Sequence, residues 1–358
     1  MIGETRGSPG GGTMSVEQIE HELAQLRMNE DGTLGLRASV LNLIVVTDEG
    51  SAGEVMRSVS NIAGRYPSRA ILLISDPEER ETSVDVRLSA FCSARGGSGA
   101  QVCAEQITIH AEGDPAEHLE SLAGPLLVPD LPVFLWYPGG FSPSSPEFAG
   151  LASLADRIII DSASSGECET SLREIAGLLD GADTPAVGDL QWVGLTPWRT
   201  LVAGLFNSPE RLEQLGRIHE VEVLHAPEGE CRGLLLVGWL ASILGWRPLG
   251  AARAGKGREI RFSGPSGEVS VEMSPDSPDA RLRRVRLFSD GYSFQVSRHR
   301  ELSDARATIM RGETLCGERT VHLGRFDLGV LIGEELEYRG RDELYETALR
   351  AAVEILDL

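Results

Sequence analysis

The strongest constraint on this chain is a series of short, continuous apolar runs spaced by helical patterns. Leu41–Thr47 (LNLIVVT) is a seven-residue run rich in β-branched side chains and reads as a buried strand. A helix follows, with Val55, Val59 and Ile62 on one face, and residues 70–75 make a second strand. Strand, helix and strand at this spacing favour a parallel pair in an α/β sheet. A helix over about residues 115–124 leads to a strand at 133–136. The run RIIID at 157–161 is the last clear strand of this half, before a helix carrying Leu172, Ile175 and Leu179.

Between the second and third of these strands the pattern turns to a hairpin. Val84, Val86, Leu88 and Ala90 alternate with polar residues, and Gly96-Gly97-Ser98-Gly99 supplies a turn. If the hairpin closes at Gly97-Ser98, opposed residues have numbers summing to 195. That pairs Leu88 with Ile107 and Val86 with Ile109, so the apolar faces coincide. It also sets Cys92 against Cys103, at a cross-strand distance within disulfide reach, and Ala90 against Glu105. Two readings stay open here: a pair of reduced thiols at a strand end, or a redox-sensitive pair.

Upstream, residues 1–14 are Gly-rich and expected to lack structure. Ser15 and Gln18 form a capping box ahead of Ile19, Leu23 and Leu26, which predicts a helix to about residue 28. Residues 181–188 (GADTPAVG) read as a linker, beyond which the pattern changes. Helices are predicted over 197–206 and 210–215, a strand over 218–224, and a helix over 234–244 that is apolar almost all round. Alternating strands then run from about 259 to 323, and two helices close the chain, the last with Leu344, Ala348, Ala351 and Ile355 in register. The fold class is therefore α/β and α+β: an N-terminal mixed α/β sheet domain followed by a C-terminal α+β domain with an antiparallel sheet. The expected layout is a tail and helix over 1–32, then domains over 33–183 and 184–358, as the 358-residue length suggests.

Charge and motifs exclude several functions. With 33 basic and 54 acidic residues the chain carries −21, which opposes nucleic acid and anionic lipid as partners. The longest apolar run, residues 233–246, is 14 residues and too short to span a bilayer. The N-terminus, MIGETRGSPGGGT, has no apolar core and does not read as a signal peptide, and five cysteines are no disulfide framework. A cytoplasmic location is expected. No G-x-G-x-x-G follows a strand, no C-x-x-C or G-x-S-x-G occurs, and His21-Glu22 lacks the second histidine of a zinc helix. Lys256 is the single lysine, and its context fits neither Schiff-base nor phosphate-loop chemistry. No catalytic residue, metal or cofactor is assigned. Asp48-Glu49-Gly50-Ser51-Ala52-Gly53 opens a helix whose N-terminus could attract phosphate, but its two acids oppose that and favour a plain strand–helix turn.

Three regions remain as candidates for binding. Residues 253–300 hold ten cations and six acids, a local +4 that leaves −25 for the rest. This arginine stripe reads either as a dock for an acidic or phosphorylated ligand or as a sheet face balanced by neighbouring acids. Trp136 and Tyr137 stand at a strand C-terminus, where α/β sheets bind ligands. In residues 189–199 (DLQWVGLTPWR), Thr196 is the predicted N-cap and Pro197 the first helical residue, which puts Trp198 and Arg199 in the first turn. Trp192, Trp198 and Arg199 suit either an interface hot spot or core packing. Arg199 opposes the helix dipole and calls for an acidic partner.

Six segments in order resemble the OpcA family, the assembly and activator protein of glucose-6-phosphate dehydrogenase. They are Arg37-Ala38-Ser39-Val40-Leu41-Asn42-Leu43, Pro67-Ser68-Arg69-Ala70, Cys103-Ala104-Glu105-Gln106-Ile107, residues 132–139, residues 189–199, and Gly238-Trp239-Leu240-Ala241 with Leu244-Gly245-Trp246. The resemblance covers the chain from about residue 19. It implies a non-catalytic, two-domain, cytoplasmic allosteric activator without a cofactor, which binds the dehydrogenase at the entry to the oxidative pentose phosphate pathway. Its candidate partner-binding residues here are Trp136, Tyr137, Trp192, Thr196, Trp198 and Arg199; Cys92 and Cys103 are the redox candidates. Two positions depart from the family: Gly194 stands where arginine is usual, and Ala104 where a second adjacent cysteine is common. The alternative is a phosphosugar enzyme or sensor built on the arginine stripe and the Trp136–Tyr137 strand end.

Overall fold

A computed structural model of the chain describes residues 4–7, 13–28, 36–37, 39–94, 101–181, 184–276, 282–298, 304–323 and 327–358. The strands of the first half are β1 (Glu4–Gly7), β2 (Leu36–Arg37), β3 (Leu41–Thr47), β4 (Ser68–Asp76), β5 (Ser83–Ala94), β6 (Gln101–Glu112), β7 (Val133–Tyr137), β8 (Arg157–Ile160) and β9 (Ala186–Asp189). Those of the second half are β10 (Glu220–His225), β11 (Arg247–Ala254), β12 (Gly257–Gly264), β13 (Gly267–Pro275), β14 (Leu282–Ser289), β15 (Tyr292–Arg298), β16 (Asp304–Arg311) and β17 (Thr314–His322). The helices are α1 (Val16–Leu26), α2 (Glu49–Ala63), α3 (Leu119–Ala123), α4 (Pro146–Ala152), α5 (Cys168–Leu179), α6 (Leu190–Val193), α7 (Thr196–Leu205), α8 (Pro209–Leu212), α9 (Glu230–Leu244), α10 (Leu328–Glu335) and α11 (Glu343–Leu356). Among the described residues, no helix is long and apolar enough to cross a membrane.

Contacts divide the chain into two units. One holds Met1–Asp161, Ala182–Gly188 and Asp327–Arg341; the other holds Ser162–Gly181, Asp189–Phe326 and Asp342–Leu358. The first unit is α/β. Its sheet runs β1-β5-β6-β4-β3-β7-β8-β9, with β2 beside β6. β3 is parallel to β4 and β7, β4 to β6, and β7 to β8, while β5 is antiparallel to β6 and β1. Leu43, Ile44, Val45, Ile71, Leu72 and Leu73 are all fully buried. Strands covered on both faces read as continuous apolar runs, which is why these were legible. The hairpin pairs Leu88 with Ile107, Val86 with Ile109, Ala90 with Glu105 and Cys92 with Cys103, the register expected from its apolar faces. Its glycine turn, residues 96–99, lies outside the described residues. α1 opens on the Ser15–Gln18 capping box.

Three local readings change. The helix expected over 115–124 is broken into a 3-10 turn at Asp114–Glu117, α3, and a second 3-10 turn at Gly124–Leu126. Pro115 and Pro125 lack the N–H that an unbroken helix needs. In the expected linker, residues 182–183 lie outside the described residues, and Ala186–Asp189 is a fully buried strand. In the N-terminal stretch expected to lack structure, Glu4–Gly7 pairs with β5.

The second unit is α+β. Its eight strands run β11-β12-β13-β10-β14-β15-β16-β17, antiparallel throughout except for the β10–β13 pair. Val221, Phe262, Val285 and Phe294 are buried by the alternation expected of strands with one covered face. α9 is buried almost all round, as its sequence predicts, and α11 packs against it. The two helices approach closely at Gly238, where a Cβ would lie 2.2 Å from the Ala348 carbonyl oxygen. β11 was not predicted. Its sequence, RPLGAARA, lacks alternation, and its place at the sheet edge accommodates Pro248.

Candidate functional site

The segment 189–199 is held by side chains at both ends. Asp189 is fully buried, and its Oδ1 accepts from the backbone N–H of Gln191 at 2.9 Å, capping α6, and from that of Ser162 at 3.1 Å. Trp192 Nε1 donates to Asp342 Oδ2 at 2.8 Å, and Asp342 Oδ1 accepts from the Tyr345 N–H, capping α11. The Trp192 and Tyr345 rings are 5.6 Å apart. The guanidinium of Arg199 lies over the Trp192 ring, 3.5 Å from its centroid, and donates to Thr196 Oγ1 at 3.0 Å. Arg199 thus gains a cation–π contact on a ring that is itself anchored. Thr196 is exposed and Arg199 half-buried.

The predicted cap at Thr196 shifts by one residue. Gly194 and Leu195 already have helical backbone, φ −61° and −86°, so the chain runs from α6 into α7 with Leu195 as the cap residue. Gly194 also makes room for a neighbour: a Cβ there would lie 2.3 Å from Arg232 Nη2. Arg232 of α9 is buried, so at this glycine an arginine arrives from elsewhere in the chain. Beside α7 runs a groove of about 400 Å³, lined by Thr196, Leu201, Leu205, Ile309 and Val321 with Arg211 and Arg319.

Trp136 and Trp198 are 0% and 1% exposed. They are core side chains and present no surface to a partner. Trp192, 2% exposed, acts through its indole N–H and the arginine stacked on it. Trp136 and Tyr137 belong to the first unit and 192–199 to the second, so the six candidates do not form one cluster within a unit.

At the start of α2, Asp48 Oδ1 accepts from the Ser51 N–H at 2.9 Å and its Oδ2 from the Ser51 hydroxyl at 3.2 Å. A carboxylate of the chain itself therefore occupies the place a phosphate would take. Cys92 and Cys103 form a disulfide. A second disulfide, Cys168–Cys231, spans 63 residues and was invisible to local patterning. Among the described residues no group of three metal ligands occurs.

The arginine stripe is paired with acids. Arg253 and Arg258 both bind Glu169, and Glu230 lies 3.4 Å from each. Arg284 and Arg286 share Glu222 at 3.4 and 3.5 Å, Arg283 pairs with Asp276 at 2.6 Å, and Arg261 with Glu268 at 3.6 Å. Burial works against the Glu169 carboxylate, but hydrogen bonds from Arg258 and Arg253 and their charges outweigh it and hold its pKa below the usual range. Of the two readings of this stripe, the balanced sheet face describes these arginines; Arg281 and Arg300 lie outside the described residues.

The polar residues that sequence reasoning passed over are the buried ones. Arg69 and Glu105, each 1% exposed, are joined by Nε and Nη2 hydrogen bonds of 2.9 and 2.7 Å. Arg69 also binds Glu20 and the Leu126 carbonyl, and Arg27 Nε lies 3.1 Å from Glu105 Oε1. Asn42 holds Val128 from both sides, accepting from its N–H and donating to its carbonyl. Arg157 and Glu335, both 2% exposed, pair at 2.6 Å. A charged residue in an apolar run at 69 and an acid in a strand at 105 were the available signals.

Comparison with known proteins follows the same segments. Residues 59–177 match the family described as glucose-6-phosphate dehydrogenase subunit N-terminal domain, and residues 185–349 match the corresponding C-terminal domain. The protein of Synechocystis sp. named as the OxPP cycle protein OpcA is 27% identical over 312 residues, covering 83% of this chain and 65% of that one. Its namesake in Nostoc punctiforme is 26% identical over 321 residues, covering 84% and 68%. The chain thus spans about two thirds of the length of these relatives. Among solved structures, aldose-aldose oxidoreductase from Caulobacter crescentus aligns with a TM-score of 0.48 at 10% identity, over 87% of this chain and 94% of that one. A Gal80p super-repressor mutant from Saccharomyces cerevisiae aligns with a TM-score of 0.47 at 10% identity, over 83% of each.

Proposed function

The chain belongs to the glucose-6-phosphate dehydrogenase subunit family known as OpcA, and from that premise we propose that it is a non-catalytic factor that binds glucose-6-phosphate dehydrogenase and supports its assembly or activity in the oxidative pentose phosphate pathway. The observation that carries this reading is how the chemistry-bearing residues of the family-like segments are used. Arg69, Glu105, Asn42 and Asp189 are buried and bonded within the fold. Polar residues used in this way hold the frame of the chain and leave its surface for a partner. The surface proposed for docking is the start of α7, where Arg199 is braced on Trp192 and donates to Thr196, which lines a largely apolar groove. A braced side chain loses little freedom on binding.

The test is co-purification with the dehydrogenase, compared with Arg199→Glu. An interfacial arginine is worth about 2 kcal/mol or more, so binding should weaken about 30-fold, while the melting temperature falls only by the loss of the Trp192 contact, about 0.5–1 kcal/mol. Intact binding by the variant moves the dock elsewhere. Absence of any complex with the wild-type chain, or turnover of glucose 6-phosphate with a nicotinamide by the pure chain, removes the proposal.

A further inference from the structure

The first sheet contains a crevice that the proposed docking role does not use. Strand order β6-β4-β3-β7-β8 means that the chain builds to one side of β3 and then returns to build on the other. The carboxyl ends of β3 and β7 therefore flank a switch point, the place where open α/β sheets take ligands. A crevice of about 320 Å³ lies there, with Asp48, Ser75, Tyr137, Phe141, Glu147 and Phe148 in its lining. That volume suits a small molecule.

Its chemistry is specific. Three aromatic rings run in a row, Tyr137 to Phe148 at 5.4 Å and Phe148 to Phe141 at 5.5 Å between centroids. Tyr137 is 6% exposed, yet its hydroxyl has no hydrogen-bond partner among the described residues, and neither has the buried hydroxyl of Ser75. Buried hydroxyls are ordinarily paired with protein or ordered water, so these two, lining one crevice, are available to an acceptor there. The charged acceptors on the protein side are Asp48, already committed to capping α2, and Glu147; the hydroxyls of Thr47, Ser142 and Ser145 in the lining are engaged with Asp48, Ser144 and the Phe148 N–H. Burial and then the nearby charge of Glu120 push the Glu147 carboxyl above its usual range, so this group gains from a donated hydrogen bond. A neighbouring crevice shares Asp48 and Ser75 and adds Glu49, Asp76 and Glu112 together with Arg87 and His110, which lie 3.2 Å from Asp85 and 3.4 Å from Glu49. Carboxylates outnumber these two groups along the edge and oppose a phosphate. An ammonium ion would suit the acids but would leave the phenolic proton without an acceptor. A ligand bearing adjacent hydroxyls supplies donors and acceptors together, and its C–H face packs on aromatic rings.

We infer that the crevice at the β3–β7 switch point binds an uncharged polyhydroxylated ligand, of the class of an unphosphorylated sugar, through Tyr137, Ser75 and Glu147 beside the Tyr137–Phe148–Phe141 rings. The site is independent of the docking surface on the other unit.

Saturation-transfer NMR on the full chain tests this with glucose, ribose and sorbitol, against glucose 6-phosphate and choline. At least one uncharged probe should bind, and about tenfold or more tightly than the phosphate ester or choline. Tyr137→Phe should weaken that binding about tenfold, the scale of one lost hydrogen bond, while the ligand-free variant melts no lower than wild type because an unpaired buried hydroxyl has been removed. No transfer from any uncharged probe overturns the inference. So does phosphate-ester or choline binding that matches the best uncharged probe, or a Tyr137→Phe variant that binds as wild type. A lowered melting temperature of the ligand-free variant also overturns it, since the hydroxyl would then serve the fold.

Discussion

The two sheets place their charges in opposite ways. In the first unit, arginines and acids sit inside the apolar body: Arg69 with Glu105, and Arg157 with Glu335, none more than 2% exposed. In the second, arginines stand in rows along β11, β12 and β14 and, apart from the buried Arg258, meet acids where both are partly exposed, as Arg253, 56% exposed, does with Glu169. The residue types are the same, and the energetic stakes are not. A buried charge that loses its partner keeps its desolvation penalty, whereas an exposed one is rescued by water. In the first unit the buried pairs tie β4 to β6 and β8 to α10, while in the second the arginine rows are balanced by neighbouring acids.

The largest effect that could break this contrast is in the first sheet. Glu105→Ala leaves the buried Arg69 guanidinium with only Glu20 and the Leu126 carbonyl and takes the acid from Arg27, and should cost about 3 kcal/mol in urea unfolding. The paired change Arg69→Met with Glu105→Leu should recover part of that, because the buried guanidinium goes with its acid while Arg27 still loses Glu105. A single substitution no costlier than one at Glu169 would erase the distinction.

A smaller effect is expected where the second unit relies on close packing rather than charge. Gly238→Ala drives a methyl to within 2.2 Å of the Ala348 carbonyl oxygen, a backbone atom that cannot swing aside. Forcing α9 and α11 apart should cost about 1–3 kcal/mol, read as a lower melting temperature.

The smallest effects are in pH dependence, and their signs oppose each other. Glu169 has its pKa lowered by folding, so its contribution is full above the ordinary carboxylate range and is lost as pH falls through its folded value. Glu169→Gln should therefore melt below wild type at neutral pH, by no more than about 1 kcal/mol, with the gap closing on acidification. Glu147 has its pKa raised, so the ionised group is a burden at neutral pH that protonation relieves. Glu147→Gln should melt above wild type at neutral pH, and again the gap should close as pH falls. Melting curves of both variants across the acid range check the two signs; parallel shifts of one sign would show that burial does not separate the regions.

Much of the fold is legible in short stretches of sequence. The hairpin register follows from making Leu88 meet Ile107, and that alone brings Cys92 to Cys103. The Ser15–Gln18 cap and the all-round apolar α9 are equally local signals. The candidate site is less legible. Residues 189–199 stand out, but whether a tryptophan there faces a partner or the core depends on what lies behind it, and Trp198 proves to be core. The Tyr137 strand end is visible in the sequence, whereas the ring row and unpaired hydroxyls around it are not.

By itself, the sequence determined the strongly periodic elements, the faces of the hairpin strands, the Ser15–Gln18 cap and the division into a parallel-rich and an antiparallel sheet, because those depend on the periodicity of neighbouring residues; β9, β11 and the cap of α7, which lack such a pattern, it did not. Tertiary structure alone decided the partners: Glu335 for Arg157 across 178 positions, Cys231 for Cys168 across 63, and Glu169 for Arg253 and Arg258. An arginine's local sequence carries no record of which distant acid reaches it. That is set when packing of the apolar faces brings two elements to a spacing at which a charge-assisted hydrogen bond is short enough to outweigh desolvation.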